Sequence, residues 1–475
     1  MKRIIFVLSL TLLCSCPALS APGLNALWLQ MQQDNPDLNA ARMGYVASQQ
    51  AGAQAQAALL PSLTAGVGSS WTSQQLSDRG GQQIGSNGYA IALTVPLIDV
   101  AAWRQLDIAQ LQEQVASWRW QAQQRQLMVQ LAQAWFTVQS AGVKQSVAVH
   151  RVAQLQEYLQ RMTARFQAGE VTAVDVDEVR AAFDMASADA AEARSEAVQA
   201  QETLRQFTGS EAQPVAALPQ QLALPSVRAR PLAWWLAQAQ QHNDRIAVAA
   251  LGMEITARRL EQAKAEWLPR VDMVASWNHS NHSASDYQHA RGFTSVDGIT
   301  TAQGAGDSAV VGVQLTVPLY NGGGTLARER ETVALAEQAK YQWRSEQNQA
   351  DMHTRQLYSA LLIGEKRLRA LQQAAASSAA VSASVTLGYS LGDRINADVL
   401  SAHRQQDEVR NRLQQESVKY LLNWMLLKQL TGQLDAHELA AIDAFTAGQY
   451  GGESSHTQWR DQPKGLTFGV LSRLN

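Results

Sequence analysis

YAIALTVPLID (89–99) and VGVQLTVPLYNGG (311–323) are nearly the same phrase, written twice in one chain of 475 residues. In each, apolar side chains alternate with small or polar ones, the alternation meets Val-Pro-Leu, and a long helical pattern follows at once. Other landmarks repeat at the same spacing. Pro96 to Pro318 is 318 − 96 = 222 residues, and Gly169 to Gly392, each a lone break in a helical run, is 392 − 169 = 223. Agreement between marks so far apart predicts an internal duplication. The Leu-Pro pairs ahead of the strands, Leu60-Pro61 and Leu268-Pro269, give only 269 − 61 = 208. The shortfall puts an insertion of about 14 residues in the polar loop of the second half, where extra length is easily accommodated.

Composition removes several classes of function. The 39 basic and 41 acidic side chains leave a formal net charge of −2. With no lysine/arginine run or basic aromatic stripe, a nucleic-acid partner is not expected. Lys2 and Arg3, the apolar run Ile4 to Leu13 and the small residues Ala18-Leu-Ser-Ala21 read as an export signal over 1–21. A rival reading makes Leu13-Cys-Ser-Cys16 a lipidation site with Cys16 acylated. The neighbouring Cys14 and Pro17 make that the poorer match, so simple cleavage is expected. Cys14 and Cys16 are the only cysteines, so the cleaved chain would hold no thiol, disulfide or cysteine-based metal site. No later apolar run reaches the ~18 residues of a membrane helix. Barrel strands need only ~9–11 alternating residues each and remain open to it.

Four segments carry that alternation, at about 61–72, 88–97, 269–278 and 309–319. Leu63, Ala65, Val67 and Trp71 share one face of the first; Tyr89, Ile91, Leu93, Val95 and Leu97 share one face of the second. Val271, Met273, Ala275 and Trp277 do so in the third, and Val311, Val313, Leu315, Val317 and Leu319 in the fourth. Their opposite faces are small or polar, as lipid-facing barrel strands require. Tyr89, Trp71 and Trp277 stand at segment ends, where aromatic girdles belong. Four strands cannot close a barrel, and open edges are not tolerated in lipid, so chains must associate. Two chains would give eight strands with a filled interior; three would give twelve and a channel. The small inner residues Ala90, Ala92 and Gly312 favour the trimer.

Helix lengths agree. From about Ala101 to Arg165, and from Leu326 to about Tyr389, some 65 residues run without proline, or ~98 Å at 1.5 Å per residue. Flanking stretches, about 22–59 with 173–208 and 231–267 with 396–432, would stack end to end to similar length. The fold class expected is therefore α+β with an internal duplication: four strands per chain in a trimeric twelve-stranded barrel, continued by long α-helices. Residues 22–220 would form the first repeat, 221–440 the second, and 441–475 a polar tail.

On these residues the chain resembles the TolC-like outer-membrane channel family of tripartite export systems. The likeness spans about residues 22 to 440. It rests on both Val-Pro-Leu joints, on Asp34-Asn-Pro-Asp-Leu38, and on the phrases RFQAGEVTAVDV (165–176) and GYSLGDRINADVL (388–400). It is closer to the branch serving type I secretion and multidrug export than to the lipidated heavy-metal branch. The resemblance implies a homotrimer in the outer membrane of a Gram-negative bacterium, with the long α-helices closed into a helical barrel. Its helical tunnel would cross the periplasm and close at the inner end. The implied partners are a periplasmic adaptor protein and an inner-membrane ABC or proton-driven transporter. Gly169, Glu170, Gly392 and Asp393 would lie at two hairpin tips that meet the adaptor. Tyr389 and Arg394, with Asp175 as their partner, would hold the inner end shut, and Asp398 would line the constriction as a carboxylate ring. The sequence departs from the best-known member at Val174, where a threonine also receives the arginine, and at Ser401, where a second aspartate ring stands.

Other signals are explained without chemistry. Asn321-Gly-Gly-Gly-Thr325 lacks the lysine-serine pair of a P-loop and serves as the joint. His279, His282 and His289 fall in the expected polar loop without carboxylate support, so solvated histidines are expected there. No nucleophile-base arrangement is visible, so neither enzyme activity nor a cofactor is expected. The function expected is a passive exit duct for proteins or small toxic molecules. The rival class is a non-conducting, surface-anchored coiled-coil protein.

Overall fold

The computed structural model describes residues 23–76, 80–209, 224–286 and 304–446; the export signal expected at 1–21 lies outside them. Four strands, β1 (Ser62–Leu76), β2 (Gly80–Ile98), β3 (Arg270–Asp286) and β4 (Gly304–Thr316), form one antiparallel sheet in chain order. The central pairing, β2 with β3, joins the two halves of the chain from Gln82↔Asp286 to Ile98↔Val271.

The strands run beyond their expected ends on the side away from the helices. Once apolar alternation fades into Gly, Ser, Asn and Gln, ladder hydrogen bonds still hold the backbone extended. Pro96 falls inside β2 rather than at its end, and the β2–β3 register shifts between Pro96 and Ile98. A proline cannot donate to the ladder, so the sheet accommodates it with a bulge. The second joint is built differently. β4 stops at Thr316, and Gly322 (φ 70°) and Gly323 (φ 87°) turn the chain into the next helix. Thr325 N donates to Asn321 Oδ1 at 3.2 Å across that turn.

Two helices dominate the rest: α4 (Val100–Gln167, 68 residues) and α8 (Gly324–Ser390, 67 residues). Each turns back into a shorter partner, α5 (Ala173–Thr208) and α9 (Asn396–Leu430). The flanking stretches expected as single helices are broken. The first comprises α1 (Leu24–Asp34), α2 (Pro36–Ser48) and α3 (Gln50–Ala57); the second comprises α6 (Leu232–His242) and α7 (Asp244–Ala265).

The breaks at Asn35 and Asn243 have a common cause. Asn35 Oδ1 accepts from Leu38 N at 2.9 Å, capping α2, while its Nδ2 donates to Phe207 O at 3.1 Å near the end of α5. Asn243 repeats the arrangement: its Oδ1 caps α7 and its Nδ2 donates to Leu430 O at 3.0 Å at the end of α9. Each asparagine thus satisfies donors of one helix and a carbonyl of another, the groups that helix ends otherwise leave open. Gly209 (φ 69°) and Gly432 (φ 68°) follow α5 and α9 in the left-handed conformation suited to glycine.

The main core lies midway along the long helices. Trp28, Leu131, Phe136, Leu204, Leu421, Met425 and Leu439 are buried together there, beside a second cluster around Val227, Trp235, Leu361 and Tyr420. The chain remains packed past the expected end of the second repeat. In α10 (Ala436–Thr446) Ile442 is fully buried, and Asp443 accepts from Asn25 N at 2.8 Å and from Leu24 N at the head of α1.

Candidate functional site

Two regions stand out, one at each end of the long helices. At the first, among the described residues, no strand residue belongs to a buried cluster and no helix covers the sheet. The alternating face carries exposed apolar side chains: Val67 is 90% exposed, Trp71 81% and Val311 79%. An aromatic row closes this band. Tyr89 meets the Trp277 ring edge-on at 5.4 Å and stacks on His279 at 4.9 Å. His279 and His282 belong to β3 rather than to a loop, and His279 Nδ1 lies 2.6 Å from Asp307 Oδ1, so this histidine does have a carboxylate partner. His289 lies outside the described residues. Among the described residues no group of three or more His, Cys, Asp or Glu could hold a metal, and no helix is long and apolar enough to cross a membrane.

At the far end, α4 and α8 finish in matching turns. Gly169 has φ 78° and Gly392 φ 86°; Glu170 N donates to Arg165 O and Asp393 N to Gly388 O, both at 2.9 Å. Only glycine adopts this conformation without strain, which is why each helical run breaks there. Side chains then distinguish the two turns. Thr172 caps α5 in a full capping box: Thr172 Oγ1 and N donate to Asp175 Oδ2 at 2.7 and 2.9 Å, and Asp175 N donates back to Thr172 Oγ1 at 3.3 Å. The Thr172 hydroxyl, then its N–H, hold the Asp175 carboxyl below its ordinary range. At the equivalent place Ile395 gives α9 no side-chain cap, and Asp398, 398 − 175 = 223 residues beyond Asp175, pairs instead with Arg394 at 3.8 Å.

The expected closure residues are therefore only partly assembled within one chain. Arg394 meets Asp398, whereas Asp175 is turned to its own cap and bonds neither Tyr389 nor Arg394. Tyr389 has other partners: Tyr158 OH at 3.2 Å and Arg165 Nη1 at 3.4 Å. The same guanidinium gives its Nε to Glu170 Oε2 at 3.0 Å. Tyr158 sits against Met162, Val176 and Val179, with the Arg161 guanidinium 5.7 Å from its ring centre. Burial, then the Tyr389 hydrogen bond, push its phenol above the ordinary range, so it stays neutral. Gly388 leaves room for Arg394, whose Cγ would lie 3.0 Å from a Cβ placed there.

Tyr158 and Arg165 were not singled out from the sequence. The available signal was spacing: they are seven residues apart, two helical turns, and so share one face of α4 beside the Gly169 turn. Exposed Leu387, Leu391 and Ile395 (61, 72 and 67%) surround the second turn, and Val174 (66%) the first.

Comparison with known proteins agrees with this architecture. The outer membrane efflux protein family profile matches residues 27–210 and again 235–433, once per half. The chain is 26% identical to the proteases secretion protein PrtF of Dickeya chrysanthemi, covering 94% of this chain and 96% of PrtF. It is also 26% identical to the outer membrane protein TolC of Escherichia coli K12, covering 93% of this chain and 89% of TolC. In fold it resembles the Campylobacter jejuni CmeC outer membrane channel, with TM-score 0.71, 12% identity and 89% of each chain covered. A duplicated α+β chain with one uncovered apolar sheet, matched by the profile along both halves, belongs to the outer membrane efflux protein family, whose members are channels of the Gram-negative outer membrane that reach into the periplasm.

Proposed function

We propose that three copies of this chain close a twelve-stranded barrel and, below it, a helical tunnel, forming the passive exit duct of a tripartite export system. The observation that carries this reading is the sheet. Its edges, β1 and β4, have no partner among the described residues, and its apolar face is uncovered. Lipid does not tolerate open edges. Three four-stranded sheets remove all of them and leave a lumen, whereas two would give a barrel filled by side chains.

In this assembly the export signal over 1–21 is removed, and the repeats 22–220 and 221–440 each supply two strands and one long helix. The Gly169–Glu170 and Gly392–Asp393 turns face the inner membrane and receive a periplasmic adaptor, which links the duct to an ABC or proton-driven transporter. Tyr389 and Arg394 hold the inner end shut. Because Asp175 and Arg394 are apart within one chain, their tie would form between neighbouring protomers. Asp398 would stand as a carboxylate ring at the constriction. Its Arg394 partner offsets part of the ring's charge, which weakens cation binding there. The cargo read first is a secreted polypeptide, on the full-length likeness to a protease secretion protein; small-molecule efflux is the second reading, from the family description.

The test is the mass of the detergent-extracted protein together with its conductance in a planar bilayer. A trimer with small cation-selective currents is expected, and Tyr389→Phe with Arg394→Ser should raise single-channel conductance. A monomer or dimer without current would remove the shared barrel, and unchanged conductance in the double variant would remove the closure assignment.

A further inference from the structure

A side-chain bond ties the first of the two matching turns to the closure tyrosine, which itself stands in the last turn of α8 and accepts from Gly392 N at 3.1 Å in the second. Arg165 donates Nε to Glu170, the residue just past Gly169, and Nη1 to Tyr389 on the other long helix. The repeat places Gly388 where Arg165 stands, 388 − 165 = 223, so the second turn has no such arginine. Its acid, Asp393, holds no side-chain partner among the described residues. The Arg165 side chain is about half-exposed, and its guanidinium is held by hydrogen bonds to Glu170 and Tyr389.

We propose that Glu170 is a positioning residue for closure and that Arg165 is a clasp shared between the docking turn and Tyr389. Glu170 orients the guanidinium by its Nε, and the Nη1 that results holds the Tyr389 hydroxyl beside Tyr158. A basic side chain on a docked partner would pair with Glu170 and displace Arg165 into solvent. Tyr389 would then keep only the Tyr158 hydroxyl. Occupation of the turn would thus loosen the contact between α4 and α8 with no movement of the turn backbone, and the partner is identified as one presenting a cation at the Gly169 turn. This inference rests on Tyr389 being part of the closure.

The experiment is single-channel recording of the intact trimer carrying Glu170→Gln, Glu170→Lys, Arg165→Lys, Arg165→Gln or Glu408→Gln. Removing one exposed ion pair should shift the closed-to-open ratio about two- to fivefold per protomer. Glu170→Gln should open the channel, and Glu170→Lys should open it further because like charges drive Arg165 away. Arg165→Lys should behave as Arg165→Gln, since one ammonium cannot serve both partners of the guanidinium fork. Glu408→Gln, which removes a comparably exposed ion pair with Arg412 on α9, should match wild type. The difference between Glu170→Gln and wild type should shrink in 1 M salt, where the Debye length is about 3 Å. A merely structural role for Glu170 would not show that salt dependence. If Tyr389→Phe with Arg394→Ser opens the channel while the Glu170 and Arg165 variants stay at wild type, the clasp is wrong and the closure stands. If the double variant also stays at wild type, the closure reading itself has failed.

Discussion

At the scale of single residues, the duplication has been used to give the same position two tasks. Asp175 and Asp398 are repeat equivalents, yet one closes a capping box and the other pairs with Arg394. The difference traces to Thr172 against Ile395, three residues earlier in each case. Thr172→Ala should speed amide exchange in the first turn of α5 about fivefold, the usual worth of a hydroxyl cap, and leave α9 unchanged. Acid should reproduce the effect. Because the folded-state pKa of Asp175 lies below the unfolded value, its contribution is complete at neutral pH and is lost as pH falls through the folded value, below the usual carboxylate range. Protection in that turn, taken as exchange relative to the intrinsic rate at each pH, should therefore fall on strong acidification in the wild type and far less in Asp175→Asn; an equal fall in both would refute the assignment. Gly169, Gly392 and the acids after them were legible because a glycine inside a proline-free helical run has few other meanings. Tyr158 was not, since a tyrosine on a long helix gives no sign of what faces it from 231 residues away.

At the scale of elements, the spliced helices make the sharper comparison. Gly209 and Gly432 have the same left-handed φ, so alanine at either site meets the same backbone penalty of roughly 1–2 kcal/mol. Only at Gly432 would the new Cβ also lie 2.5 Å from a backbone oxygen, that of His242. Gly432→Ala should therefore lower the thermal midpoint clearly more than Gly209→Ala, followed by circular dichroism; equal losses would mean the α6–α9 contact is not tight in solution. The long helices were readable from length and lack of proline alone. The break at Asn35 was half-visible as Asn-Pro, whereas the break at Asn243 carries no proline and comes from capping alone. Strand ends were underestimated for a related reason. Apolar alternation marks where lipid would lie, and the hydrogen-bonded ladder continues past it in residues whose side chains carry no such mark.

At the scale of the whole molecule, the two halves are alike in sequence but not separable in structure. Part of their seam is the β2–β3 pairing, and Gly88 is a tight point in it, since a Cβ there would sit 2.3 Å from the His279 carbonyl oxygen. Gly88→Ala should prise the two strands apart there and lower the share of trimer in detergent extracts, read as mass; an unaltered share would mean that the β2–β3 contact at Gly88 is not tight in solution. The bond from Asn25 N to Asp443, 418 residues along the chain, has a further consequence. A chain emerging from its amino end holds the first helix and the second strand long before it holds what completes them. The first helix has no acceptor for its leading N–H groups until α10 emerges, and β2 keeps a bare edge until β3 arrives. A half-made chain is therefore not half a duct but a sticky intermediate, and export must keep it unfolded until α10 is released.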